Sequence, residues 1–183
     1  MSKKVQWIIT IVLVGGLISL ITVFKAVAIN GPAMEPNYRN GDRYLANKFA
    51  FLISLPRRGD VVVFRYSQNP EFKGISRIVG LPNEKLMIKD EKVFINGTAL
   101  QEDYLSSGAK TLTANAREIQ QTSETEASLE EIQGKKILEE GQEIIIPASS
   151  YFMMGDNRES SIDSRSLGFV EKKDIEAKIV IKY

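Results

Sequence analysis

Apolar residues follow two different patterns along this chain. From Val5 to Phe24 they run almost unbroken, with Gln6 and three hydroxyl residues as the only polar positions. That length matches the roughly 20 residues that cross a bilayer, and it predicts one transmembrane helix. Beyond it the pattern changes to period two and to β-branched runs. Asp60–Tyr66, Ile75–Val79, Lys85–Ile88, Lys92–Ile95, Glu143–Ile146, Tyr151–Met154 and Ala177–Lys182 are predicted strands, separated by Gly, Pro, Asn and Asp. Leu86-Met87-Ile88 and Val93-Phe94-Ile95 flank Lys89-Asp90-Glu91-Lys92 as a hairpin, and Asn96-Gly97 turns the chain out of it. The expected fold is mostly β.

Lys3 and Lys4 precede the apolar run, which orients the N-terminus toward the cytoplasm, although Lys25, Arg39 and Arg43 lie on its far side. Ala26-Val27-Ala28 would suit a cleaved export signal, but the run exceeds the ~7–15 residues of such a signal's apolar region, so an anchor is preferred. Residues 1–4 are then cytoplasmic, 5–24 the anchor, and 25–183 an external domain. Leu45–Leu55 reads as a short helix or a loop leaning on the membrane. Residues 101–143 are rich in Gln, Thr, Ser and Glu, with Tyr104 as their one aromatic residue. They are expected to form a mobile insertion or small cap without chemistry, with Ala127–Leu138 as a solvated helix.

Composition narrows the chemistry more than the fold. The chain has 183 residues, 43% of them hydrophobic, a net charge of +1 and no dense basic block, which argues against nucleic acid as a partner. It has no cysteine and no histidine. Disulfides, thiol catalysis, Ser-His-Asp mechanisms and nearly all zinc sites are thereby excluded, and neither a metal nor a cofactor is expected. For acyl transfer, lysine is the remaining plausible base.

Three blocks carry the candidate chemistry. The first is Gly31-Pro32-Ala33-Met34-Glu35-Pro36. The second is Arg58-Gly59-Asp60-Val61-Val62-Val63-Phe64 with Ile75-Ser76-Arg77-Ile78-Val79-Gly80-Leu81-Pro82. The third runs from Met154 through Gly155, Asp156, Asn157, Arg158, Glu159, Ser160, Ser161, Ile162, Asp163 and Ser164 to Arg165. In the third, Gly155 and Asn157 suit positive φ at a tight turn. Asp156, Arg158, Asp163 and Arg165 carry opposite charges that would brace an irregular loop, and Ser161 and Ser164 can hydrogen-bond nearby groups.

In this order behind one N-terminal anchor, the blocks resemble the type I signal peptidase family, membrane-bound Ser-Lys endopeptidases that remove signal peptides from exported proteins. The resemblance implies a signal-peptidase-like antiparallel β domain with a variable inserted cap at 101–143. It also implies that Ser161 sits beside the base position, with Asp163 and Arg165 holding the loop. The family's Gly-x-Ser-Met-x-Pro segment supplies its nucleophile, and this chain has Ala33 there. The family's lysine precedes an arginine, and this chain has Ser76 before Arg77. Lys73, an odd separation from Ser76, belongs on the other strand face. Ser160, Ser161 and Ser164 fall in the braced loop, and Lys25 and Lys48 lack a designated serine.

The sequence therefore leads to an expectation of a catalytically inactive homologue, not an enzyme, anchored in the cell membrane. Its expected partners are the lipid bilayer and either signal peptides of exported preproteins or an active signal peptidase. Met34, Pro36, Val62 and Phe64 are candidates for lining a peptide groove, and core packing is the competing reading, favoured for the valines. One alternative is an active signal peptidase whose catalytic Ser and Lys were mutated or shifted. A second is a membrane scaffold.

Overall fold

Two antiparallel sheets share the chain after its first helix. The computed structural model describes residues 2–67, 69–112 and 138–183, and the side chains of all of these except 17–21 and 69–71. The expected helix over Ala127–Leu138 lies outside these residues, apart from Leu138 itself.

Helix α1 spans Lys3–Val23, close to the predicted Val5–Phe24. Among the described residues, however, no helix is long and apolar enough to cross a membrane. The 21 residues of α1 begin with Lys3 and Lys4 and are otherwise almost wholly apolar. Trp7, Ile8, Ile11, Val12 and Leu13 along it are all exposed.

Eleven strands follow among the described residues. They are β1 (Phe24–Ala28), β2 (Arg43–Asn47), β3 (Val61–Tyr66), β4 (Asn69–Gly80), β5 (Lys85–Lys89), β6 (Lys92–Ile95), β7 (Thr98–Ala99), β8 (Glu143–Ile145), β9 (Ser150–Met154), β10 (Val170–Glu171) and β11 (Ile175–Lys182). The larger sheet has the order β1-β2-β11-β3-β4-β9-β10, and the smaller has β7-β6-β5-β8. The seven strands predicted from the sequence are all present. The segment Leu45–Leu55 divides between the end of β2 and a four-residue helix α2, Ala50–Ile53.

Local chemistry accounts for the hairpins. Asp90 and Glu91 both adopt positive φ between β5 and β6, and Asn96 and Gly97 do the same between β6 and β7. Two consecutive left-handed residues match the right-handed twist of the strands they join. Alternation then sorts the side chains: Leu86, Ile88 and Val93 are fully buried in a cluster with Phe152 and Met154, so the small sheet packs against β9 of the large one.

Residues with apolar character on both faces mark the centre of the large sheet. Val61, Val62, Val63 and Phe64 are all buried, with Val61 and Val63 on one side beside Met34 and Ile29, and Val62 and Phe64 on the other beside Ile78 and Met153. A strand covered on both faces loses strict polar alternation. Its register sets Val61 opposite Arg77 and Val62 opposite Ser76, while β4 meets β9 with Arg77 opposite Met154. The second and third sequence blocks are thereby side by side.

Candidate active site

Strand register brings Ser76, expected from the resemblance at the base position, to the loop. Continuing the pairing of Arg77 with Met154 by one residue sets Ser76 across from Gly155. Ser76 is 3% exposed, with the valine-rich strand β3 on its other side. The nucleophile segment arrives from the opposite direction, and its main chain makes the junction: the Asn157 N–H donates to the Ala33 carbonyl at 3.0 Å.

Gly155 is the point where these parts meet. A Cβ there would overlap Cβ of Ser161 and lie 2.5 Å from the Ala33 carbonyl oxygen and 2.6 Å from Ser161 Oγ. The need for glycine is therefore close approach. The expected positive φ at Gly155 and Asn157 is not found, since neither is among the residues with left-handed backbone. Gly155→Ala is accordingly expected to lower stability by about 1–3 kcal/mol, the usual range for overpacking, measured by denaturant unfolding. A substitution without cost would mean that the three segments are not in contact.

The loop is braced by one internal pair and by two partners from elsewhere. Arg165 pairs with Asp163 through Nε at 2.8 Å and Nη2 at 2.7 Å, and both side chains are almost wholly buried. Asp163 also caps helix α3, Ser164–Leu167, by accepting from the Arg165 N–H. Ser161 Oγ donates to Asp163 at 2.6 Å, and Ser164 Oγ accepts from the Met153 N–H. Burial opposes the charge on Asp163, but the Arg165 guanidinium and the bonds from Arg165, Ser161 and the Gly155 N–H outweigh it and hold this carboxyl below its ordinary range.

Asp156 and Arg158, expected to brace the loop, also reach out of it, while Arg158 Nε donates to the Gly155 carbonyl within the loop at 3.2 Å. Asp156 receives Arg77 through Nε at 2.7 Å and Nη2 at 2.6 Å, and Asn37 Nδ2 at 2.8 Å. Arg158, 1% exposed, pairs with Glu102 and donates to Thr111 Oγ1. The segment beginning at residue 101 is therefore not detached from the site. Thr111 and Leu138 are buried near its two ends, and the Gly141 N–H donates to the Ile88 carbonyl. The sequence signal for Glu102 and Tyr104 is weak, because one acid among many and a single aromatic in a polar run look like solvated positions.

The proposed groove residues divide. Met34, Val62 and Phe64 are each at most 1% exposed and belong to the core, so they line no open groove. Pro36 is exposed and faces a cleft of about 390 Å³ with Glu35, Ser106, Ser107 and Asn157 among its walls. The shifted pair is not assembled either. Lys73 is exposed and paired in register with Arg65, whereas Ser76 is buried. Lys25 bonds Glu176 at 2.8 Å, and Ser160 is exposed. Among the described residues no cluster of acidic, thiol or imidazole groups could hold a metal ion.

A family profile described as "Signal peptidase, peptidase S26" matches residues 2–183. The chain is 30% identical to signal peptidase I P of Bacillus subtilis subsp. natto, over 95% of this chain and 85% of that one. It is 34% identical to signal peptidase I of Pseudomonas aeruginosa over 73% of this chain, and spans about half, 51%, of that longer protein. A crystal structure of a signal peptidase I from Enterococcus faecalis V583 is 32% identical, with a TM-score of 0.48 over 70% of this chain and 99% of that one. The expectation of a non-enzyme is corrected by these relatives, because the proteins that share this chain over most of its length are named as peptidases. From its sequence blocks to the strands that carry them, the chain belongs to the signal peptidase, peptidase S26 family.

Proposed function

We propose that this chain is a signal-peptide-removing serine endopeptidase in which the two residues that would carry the chemistry have been replaced, Ala33 standing at the nucleophile position and Ser76 at the base position. One observation carries the reading: Gly155 touches both Ala33 and Ser161 and directly follows Met154, the register partner of Arg77 next to Ser76, so the segments of a Ser-Lys site approach one another. The chemistry requires a hydroxyl whose proton passes to an uncharged amine. A buried position suits such an amine, because burial disfavours its charged form.

The experiment is cleavage of a preprotein by the chain carrying Ala33→Ser and Ser76→Lys, with products identified by mass. Cleavage at the end of the signal segment is the expected result. Intact preprotein with a folded double variant would overturn the reading.

The proposal includes a membrane location, with α1 as the anchor, Lys3 and Lys4 on the cytoplasmic side and the β domain outside. Exposed apolar groups support it. Leu52 is 75% and Ile53 91% exposed on α2, and Lys48, just before that helix, donates its N–H to Val23 at the end of α1. The apolar tip and the apolar helix thus lie at one level. The full chain is expected to stay with membranes through alkaline carbonate washing, and release into the wash would sink this part of the proposal.

A further inference from the structure

Residues Glu102 and Tyr104 touch every part of the site without belonging to any of its three sequence blocks. The Tyr104 carbonyl accepts from Asn37 Nδ2 at 2.7 Å, one residue beyond the first block. The Tyr104 ring lies against the guanidinium of Arg77, 4.2 Å from ring centroid to Cζ, on the strand that carries Ser76. The Tyr104 hydroxyl donates to Glu102 Oε1 at 2.5 Å, and Glu102 in turn holds both terminal nitrogens of Arg158 in the third block.

We propose that Glu102 and Tyr104 are positioning residues, which set the nucleophile segment, the base strand and the loop in one geometry. The proposal deepens the peptidase reading and rests on it. Three physical effects act together. The ring shields one face of Arg77 from water, which strengthens the Arg77–Asp156 pair and adds a cation–π attraction. Asn37 bonds both Asp156 Oδ2 and the Tyr104 carbonyl, so that pair is tied to the segment bearing Ala33. Glu102 compensates Arg158, whose side chain has no exposure and would otherwise be a buried, uncompensated charge. Burial, then the neighbouring Glu102 carboxylate, push the Tyr104 phenol above its ordinary range, so it remains a hydrogen-bond donor at neutral pH.

The test uses a thiol as reporter. The chain contains no cysteine, so Ala33→Cys introduces a unique thiol at the nucleophile position. Its alkylation by iodoacetamide is followed across pH in the parent, in Tyr104→Phe and in Tyr104→Leu. Removing the ring in Tyr104→Leu is expected to change the rate about tenfold, the effect of one unit in thiol pKa. Tyr104→Phe keeps the ring and should stay near the parent. The same rate in all three overturns the proposal. If Tyr104→Leu fails to fold, Glu102→Gln carries the same expectation.

A second readout uses the chain with Ala33→Ser and Ser76→Lys. There Tyr104→Leu should lower kcat by on the order of 10²-fold with little change in KM, as expected when reacting groups are displaced by about 1 Å. A lowered melting temperature with kcat unchanged would assign these residues to stability alone and overturn the proposal. A restored chain without activity but with the expected thiol response would sink the peptidase reading and leave the positioning of residue 33 standing.

Discussion

Restoring both chemical residues at once is expected to raise the rate of signal-peptide cleavage over the present chain by on the order of 10³-fold or more, and restoring either alone by far less. In a serine protease, loss of the nucleophile costs about 10⁶ in kcat, and residues that act as a unit contribute non-additively. Ala33→Ser supplies a hydroxyl with no base to take its proton. Ser76→Lys supplies an amine with no nucleophile to activate. Only the pair completes the transfer, so a double-mutant cycle on kcat should show coupling that accounts for most of the gain. The lysine side chain must enter a position where serine is 3% exposed. That burial lowers the amine's affinity for protons and lets it act as a base near neutral pH. If Ala33→Ser alone performed as well as the pair, Ser76 would be removed from the mechanism.

Asp163→Asn is expected to be among the most damaging single changes to stability. The Arg165 guanidinium would remain buried without its carboxylate, and breaking a buried pair from one side costs about 3–5 kcal/mol. Denaturant unfolding of the variant measures this directly. The pH dependence has a definite sign. Because folding holds this carboxyl below its ordinary value of 3.8, the stability it contributes is complete above that pH and is lost as pH falls through the lower folded value. Unfolding curves recorded below about pH 4 should therefore show a loss in the parent that is smaller in Asp163→Asn. Equal slopes would mean that another carboxylate governs the acid limb.

The sequence made the β domain legible because strands of the small sheet alternate cleanly and their turns carry Asp, Asn and Gly where left-handed backbone is needed. Strands β1, β2, β7 and β10 escaped prediction. Two of them are only two residues long, β1 directly follows the apolar helix, and the last three residues of β2 fall in Leu45–Leu55, expected as a short helix or loop. For the site, Ser161, Asp163 and Arg165 of the loop singled out from the sequence bond one another, and Ser164 Oγ accepts from the Met153 N–H. Asp156 and Arg158 also take partners outside the loop that the sequence did not indicate, Arg77 and Glu102, 79 and 56 residues away. Long-range ion pairs leave no local pattern. Val62 packs in the core, the reading favoured for the valines, and Phe64 joins it, because a strand buried on both faces looks, in one dimension, like a strand with an apolar open face.

The Ala33 carbonyl is held by the Asn157 N–H, a bond between main-chain atoms. Such a bond is indifferent to the side chain at residue 33. A serine or an alanine can occupy that position while the peptide group, the contact with Gly155 and the loop behind it stay where they are. Chemistry in this fold is thus written on exchangeable side chains, whereas the address at which it would occur is written in the backbone, and the two can change on separate evolutionary clocks.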